Sequence, residues 1–128
     1  MKYILLVIQL VIFSGSVNSS TNPYDEAMKL VNVGEYRKAF DIALVSAKEG
    51  HARSQYIVGF MLAKGRGVEM NCQEGLSWLH KSSEAGYYAA SYMLGVFSLL
   101  PKHPCATVDT EKAREYMEKA SAQGMPKN

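Results

Sequence analysis

The stretch Ala52–Gly86, ARSQYIVGFMLAKGRGVEMNCQEGLSWLHKSSEAG, returns in altered form between Tyr88 and Gly124. In register, Tyr56 falls on Tyr92, Val58 on Leu94 and Gly59 on Gly95. After a two-residue slip, Trp78 falls on Tyr116, Lys81 on Lys119 and Gly86 on Gly124. Self-similarity at a period of about 36 residues marks a helical solenoid, in which a helix pair cannot bury its apolar face alone and stacks on its neighbours. The fold expected is all-α: an α/α solenoid of about three stacked antiparallel helix pairs.

The chain has 128 residues, 48% hydrophobic and 20% charged, enough for one domain with a real core and no second one. Its formal charge is +2, too small for a phosphate-binding surface. No run of Lys and Arg interleaved with aromatics occurs, so nucleic acid is a poor partner.

Residues 1–19 read as a secretory signal peptide. Lys2 precedes an apolar run from Ile4 to Phe13, followed by the small, polar SGSVNSS. Val17-Asn18-Ser19 suits a cut ahead of Ser20, with cleavage after Ser16 as the alternative. The apolar run is well short of the roughly 20 residues that cross a bilayer, so no membrane span is expected after cleavage. Export, to periplasm or medium, changes the meaning of the two cysteines, Cys72 and Cys105, which can pair in an oxidising compartment. Each precedes the second helix of its pair, and connections of adjacent repeats lie side by side, so a disulfide is geometrically reasonable. Closing a loop of about 33 residues would stabilise by about 3 to 4 kcal/mol. Two free buried thiols, or metal ligands with His103 or His80, are the other readings, although zinc-site spacing is missing.

The repeat domain spans residues 22–124, in units of about 22–50, 51–86 and 87–124, with a tail at 125–128. Asn22-Pro23 opens the first helix, expected from about Tyr24 to Asn32 and burying Ala27, Leu30 and Val31. Gly34 turns the chain into a second helix, Glu35 to about Lys48, with Ala39, Ile42, Ala43 and Ser46 on one face and Gly50 closing it. The second pair covers about Ala52–Ala63 and Cys72–Ala85, the latter capped by Asn71. Gly59 and Gly75 sit mid-helix, where each costs up to about 1 kcal/mol, so a close helix crossing is expected there. Trp78 is expected to be buried in the middle repeat, so that Trp78→Ala opens a cavity costing about 3 to 5 kcal/mol.

AxxQYxxGxxxxxGxGV followed by NxxxGxxWxxKSSxxG resembles the Sel-one-like repeat (SLR) family, relatives of tetratricopeptide repeats. The resemblance covers Ala52–Gly86 fully, Tyr88–Gly124 with one departure, and the tetratricopeptide-like first unit, Gly34-x-Tyr36-x-x-Ala39, more weakly. The departure is the third connection, where Leu100-Pro101-Lys102-His103-Pro104-Cys105 replaces the family's Gly-x-Gly and adds two residues. Asp109 still caps the helix that follows, with Lys112, Ala113, Tyr116, Lys119 and Ala120 in register.

Similarity to this family implies that the first helices of the pairs line a concave groove. Tyr24, Tyr56 and Tyr92 would face inward, with Met28, Phe60 and Val96 beside them and Arg53 and Lys64 flanking. Such a stripe suits another protein or a peptide, because tyrosine gives large contact area and a hydrogen-bonding tip. Each tyrosine is equally well explained by packing against the neighbouring helix. Binding is expected along this stripe and away from the glycine-bearing connections, Arg66 included. An end surface carrying Tyr116, Met117 and Ala120 is expected to be partly open and available for self-association.

Catalysis has little support: His51, His80 and His103 lie on separate elements, and Glu111, Glu115 and Glu118 share a solvated helix face with Lys112, Arg114 and Lys119. No enzyme, metal or cofactor is expected. The family resemblance implies an exported protein-binding adaptor. An alternative within binding proteins is a periplasmic immunity protein that neutralises a toxic effector. A hydrolase of cell-wall or β-lactam compounds is the alternative from another class, and the regular within-repeat cysteine pairs of such relatives are missing.

Overall fold

Hydrophobic periodicity near 3.6 becomes six α-helices in a computed structural model, which describes residues 21–128. They are α1 (Pro23–Asn32), α2 (Tyr36–Lys48), α3 (Ala52–Lys64), α4 (Cys72–Glu84), α5 (Tyr88–Phe97) and α6 (Thr110–Ala122). Each packs on its neighbours in sequence, and α1 also touches α3, so the first helices of the first two pairs lie side by side. The expected solenoid of three antiparallel pairs is the observed architecture. The signal peptide expected at residues 1–19 lies outside the described residues, none of whose helices is long and apolar enough to cross a membrane.

Local chemistry sets the helix ends. Asn22, Asn71 and Asp109 accept N-cap hydrogen bonds from Tyr24, Glu74 and Lys112 backbone N–H groups at 3.0, 3.0 and 3.1 Å. Each pair closes the same way. Gly50, Gly86 and Gly124 take φ of 96°, 95° and 100°, and the next residue donates its N–H to the carbonyl five residues back: His51 to Ser46, Tyr87 to Ser82 and Met125 to Ala120. A left-handed residue here costs a glycine nothing, which frees the chain to reverse into the next pair.

The crossing of α3 and α4 is built on the absence of two side chains. A Cβ on Gly59 would stand 2.8 Å from Gly75 O and 2.9 Å from Leu79 N, and one on Gly75 would stand 2.9 Å from Ala63 N. Backbone touches backbone, as the mid-helix glycines suggested. The residue sealed in this crossing is Leu79, with no exposed surface, while Trp78 is half-buried at the rim with Lys81 Nζ 4.4 Å from its ring centre. The expectation for Trp78 is corrected accordingly: one residue along a helix is a turn of about 100°, enough to move a side chain from centre to edge. The nearest atoms to a Cβ on the equivalent Gly95 are Met117 side-chain atoms (2.9 and 3.3 Å) and Tyr116 Cβ (3.3 Å), a softer wall.

Two apolar clusters fill the layers. Ala27, Ala39, Phe40, Ala43, Ala47, Ile57, Val58, Met61 and Leu62 form the first; Ala63, Leu79, Ala90, Leu94, Phe97 and Cys105 form the second. Helix α3 belongs to both. Buried serines stitch successive pairs where small side chains let helices approach, Ser46 with Ser54 at 2.8 Å and Ser83 with Ser91 at 2.6 Å, while Ser82 ties the second pair together by donating to Ala52 O at 2.6 Å. Gln123 joins them, accepting from Ser91 and donating to Ser83 O at 2.8 Å. Each buried hydroxyl therefore has a partner, which avoids the desolvation penalty of an unpaired one.

The third connection absorbs its two additional residues without disturbing its ends. In the second pair the N-cap Asn71 donates its N–H to Leu62 O at 2.9 Å, and in the third Asp109 donates to Ser98 O at 3.0 Å, the equivalent bond. Between these ends Cys105 is bonded to Cys72, with Cα atoms 5.0 Å apart, and is buried against the second core cluster. The pairing consumes both thiols, so neither serves as a free thiol or metal ligand. His103 accepts the Cys105 N–H at Nδ1 (3.0 Å) and lays its ring 4.8 Å from that of Phe97.

Gly59→Ala is expected to destabilise by about 1 to 3 kcal/mol because backbone must move, whereas Gly95→Ala, facing a movable methionine, falls below about 1 kcal/mol. Leu79→Ala costs more than Trp78→Ala. Chemical denaturation of the four variants checks the order. A second expectation concerns pH. Burial, and then the charge of Lys64, hold the His103 imidazole below its ordinary value. The unfolded chain thus binds the proton more readily, so this contribution is complete above about pH 6.5 and is lost as pH falls through the folded pKa. The melting temperature of the parent drops on acidification by more than that of His103→Ala.

Candidate functional site

A cavity of about 200 Å³ opens between α1, α2 and α3. Met28 and Val31 come from α1, Tyr36 from the start of α2, Tyr56, Ile57, Phe60 and Met61 from α3, and Arg66 from the α3–α4 connection. The α3 residues lie at i, i+1, i+4 and i+5, one face of one helix, with Ile57 and Met61 at the floor and Tyr56 and Phe60 half-exposed at the mouth. The lining is almost wholly apolar.

Beside the cavity an aromatic cluster crosses the repeats. Tyr56 stacks on Phe60 with ring centres 6.0 Å apart and meets Tyr87 edge-on at 5.4 Å; Tyr87 also touches Tyr88 at 5.5 Å. The Tyr24 and Tyr87 hydroxyls approach to 3.4 Å, joining the first pair to the third. Over this contact lies the Arg53 guanidinium, 4.8 Å from the Tyr24 ring and 5.8 Å from that of Tyr87. At the other end the Arg66 guanidinium is 5.7 Å from the Tyr36 ring. Burial, and then the Tyr24 hydrogen bond, drive the Tyr87 hydroxyl far above the ordinary tyrosine value; burial also raises that of Tyr56.

Of the eight side chains singled out from sequence, Tyr24, Met28, Arg53, Tyr56 and Phe60 come together here. Lys64 turns away, its ammonium 5.6 Å from the Phe97 ring. Tyr92 is 44% exposed and Val96 half-buried, and neither lines the cavity. The third ring of the cluster is Tyr87, at the N-cap of α5, a position without an aromatic in the preceding unit, where His51 stands. Alignment of the repeats hides it, and the signal that could have found it is the Tyr87-Tyr88 doublet at a repeat boundary. Arg66 alters another expectation, since its place in the cavity wall makes the glycine-bearing connection part of the same surface. At the C-terminal end Ala120 is fully buried, Met117 packs under Gly95, and Tyr116 is half-buried with its ring 5.9 Å from that of His80. The exposed α6 surface instead carries Arg114 paired with both Glu111 and Glu118.

Stacked helix pairs with an apolar cavity in the layer of first helices define a helical-repeat scaffold of the tetratricopeptide kind. More particularly, the pattern of the Sel1 repeat matches residues 52–87 and 89–125, and the chain belongs to the Sel1 repeat family. It is similar to a Sel1 repeat protein from Oxalobacter formigenes, known from a crystal structure, with 30% identity, a TM-score of 0.63, and coverage of 80% of this chain and 79% of that one. No curated protein gave a match. Sel1 repeats generally bind other proteins, and the family is typically a non-enzymatic scaffold for such interactions.

Replacing Tyr87 by Phe removes the hydroxyl that ionises late. Because its folded pKa lies above the unfolded value of about 10, its contribution is complete below about pH 10 and is lost as pH rises through the folded pKa. The parent is expected to lose melting temperature more steeply above pH 10 than Tyr87→Phe.

Proposed function

We propose that this chain is an exported adaptor that holds a segment of another protein along the face formed by α1, α3 and α5. The observation that carries the reading is the apolar cavity of about 200 Å³ opening beside the cluster of Tyr24, Tyr56, Phe60 and Tyr87. A side chain of leucine or phenylalanine size placed there loses its apolar surface to Met28, Ile57 and Met61, a gain of about 25 cal/mol per Å² buried. Tyr56 and Phe60 at the mouth flank the backbone of such a segment, and Tyr92 and Val96 extend the surface towards the third pair. Fixed helices pre-organise this surface, which limits the ordering cost of binding.

Export is supported by the leader-like N-terminus and by the Cys72–Cys105 bond, a kind that persists in oxidising compartments. N-terminal sequencing of the mature protein tests it, with a start at Ser20 or Val17 expected.

Selection of random peptides by display against the oxidised domain tests the binding surface. Peptides so obtained are expected to lose about 1 to 3 kcal/mol of affinity to Tyr56→Ala and to Phe60→Ala, with helical content by circular dichroism unchanged. Retention of full affinity by the double variant would place the working surface elsewhere.

A further inference from the structure

The chain has four arginines, and they divide cleanly. Arg37 pairs with Asp41 at 3.5 Å, and Arg114 with Glu111 and Glu118. Arg53 and Arg66, the two beside the cavity, have no carboxylate at ion-pair distance among the described residues. Each is exposed and rests on tyrosine rings, Arg53 on Tyr24 and Tyr87, Arg66 on Tyr36. Stacking on a ring face engages the flat side of a guanidinium and leaves its N–H edge free for a planar, bidentate acceptor. Ala52–Val68 contains Arg53, Lys64 and Arg66 with no acidic residue, and α5 carries no charge at all; Asp25 and Glu26 on α1, Glu35 before α2 and Glu69 after the connection form no ion pair with either arginine.

Spacing adds a geometric condition. Arg53 stands in the first turn of α3 and Lys64, its last residue, is eleven positions on, about 17 Å at about 1.5 Å per residue; Arg66 follows in the connection, just past the left-handed Gly65. Tyr56, Ile57, Phe60 and Met61, which line the cavity, lie between the two arginines. An extended chain covers about 17 to 20 Å in about five to six residues, so a side chain in the cavity leaves about three residues on either side to reach an arginine.

We propose that this face selects an acidic segment of a partner protein: one apolar side chain enters the cavity while carboxylates about three residues to either side engage Arg53 and Arg66. The selection rests on the protein-binding reading of the same face and adds the chemistry of the partner. Acidic residues along such a segment are attracted by both guanidinium groups, whereas basic ones are repelled and leave the arginines unpaired.

Fluorescence anisotropy with three labelled heptapeptides tests it: a central leucine with glutamates at both ends, the same peptide with lysines at the ends, and the glutamate peptide with central alanine. The glutamate–leucine peptide is expected to bind at least about tenfold more tightly than the lysine one and to weaken as salt rises. Arg53→Ala and Arg66→Ala each lower its affinity about fivefold, and Arg53→Lys recovers part of that loss by keeping the charge without the fork. The central-alanine peptide weakens by about tenfold or more. Circular dichroism of the exposed-arginine variants verifies that the helices are intact. Equal binding of the acidic and basic peptides, both weakened by Phe60→Ala, overturns the charge selection and leaves the protein-binding reading standing. Failure of all three to bind overturns both.

Discussion

The rest of the structure depends on the backbone contact between Gly59 and Gly75. With a hypothetical Cβ at either position falling within about 3 Å of main-chain atoms, α3 and α4 approach more closely than any side chain permits. That approach seals Leu79, leaves Trp78 at the rim, and fixes where the α3–α4 connection must run. The connection in turn lies against the start of α2, with Gly67 so close that a Cβ would meet Tyr36 main-chain and side-chain atoms at 2.6 to 2.8 Å. Arg66 is thereby placed over Tyr36 and in the wall of the cavity.

The third pair holds to the stack by other means. Its crossing is softer, since Gly95 faces methionine rather than backbone, and its connection lacks the glycines of the second. The Cys72–Cys105 bond ties that connection to the N-terminus of α4, and His103 and Phe97 pack beneath it. In the chain-entropy account, closing 33 residues supplies stabilisation that a small core alone does not. The Ser83, Ser91 and Gln123 network adds a polar seam that fixes the end of α6 against α5.

The proposed binding surface and the scaffold share residues. The contact of Tyr24 with Tyr87 ties the first pair to the third across the layer, and the rings that make it also hold Arg53. These side chains are already fixed by one another, which would limit the ordering cost of the proposed binding. A guanidinium on aromatic faces also retains its hydrogen-bonding edge, so the same packing would serve the proposed recognition.

The repeat itself, the six helices, the Asn71 and Asp109 caps, the close crossing at Gly59 and Gly75 and the cysteine pairing were all determined by the amino-acid sequence. Each is local, or follows from a fixed period that puts equivalent positions side by side. The resemblance to the repeat family placed Tyr24, Met28, Arg53, Tyr56 and Phe60 on one surface. Only the tertiary structure decided that Tyr87 and not Tyr92 completes the cluster, that Lys64 turns to Phe97, and that Arg66 joins the cavity. These depend on the rotation and stagger of one helix pair against the next. A repeat period states that the pairs stack, but the angle is set by side-chain volumes at contacts between helices far apart in the chain.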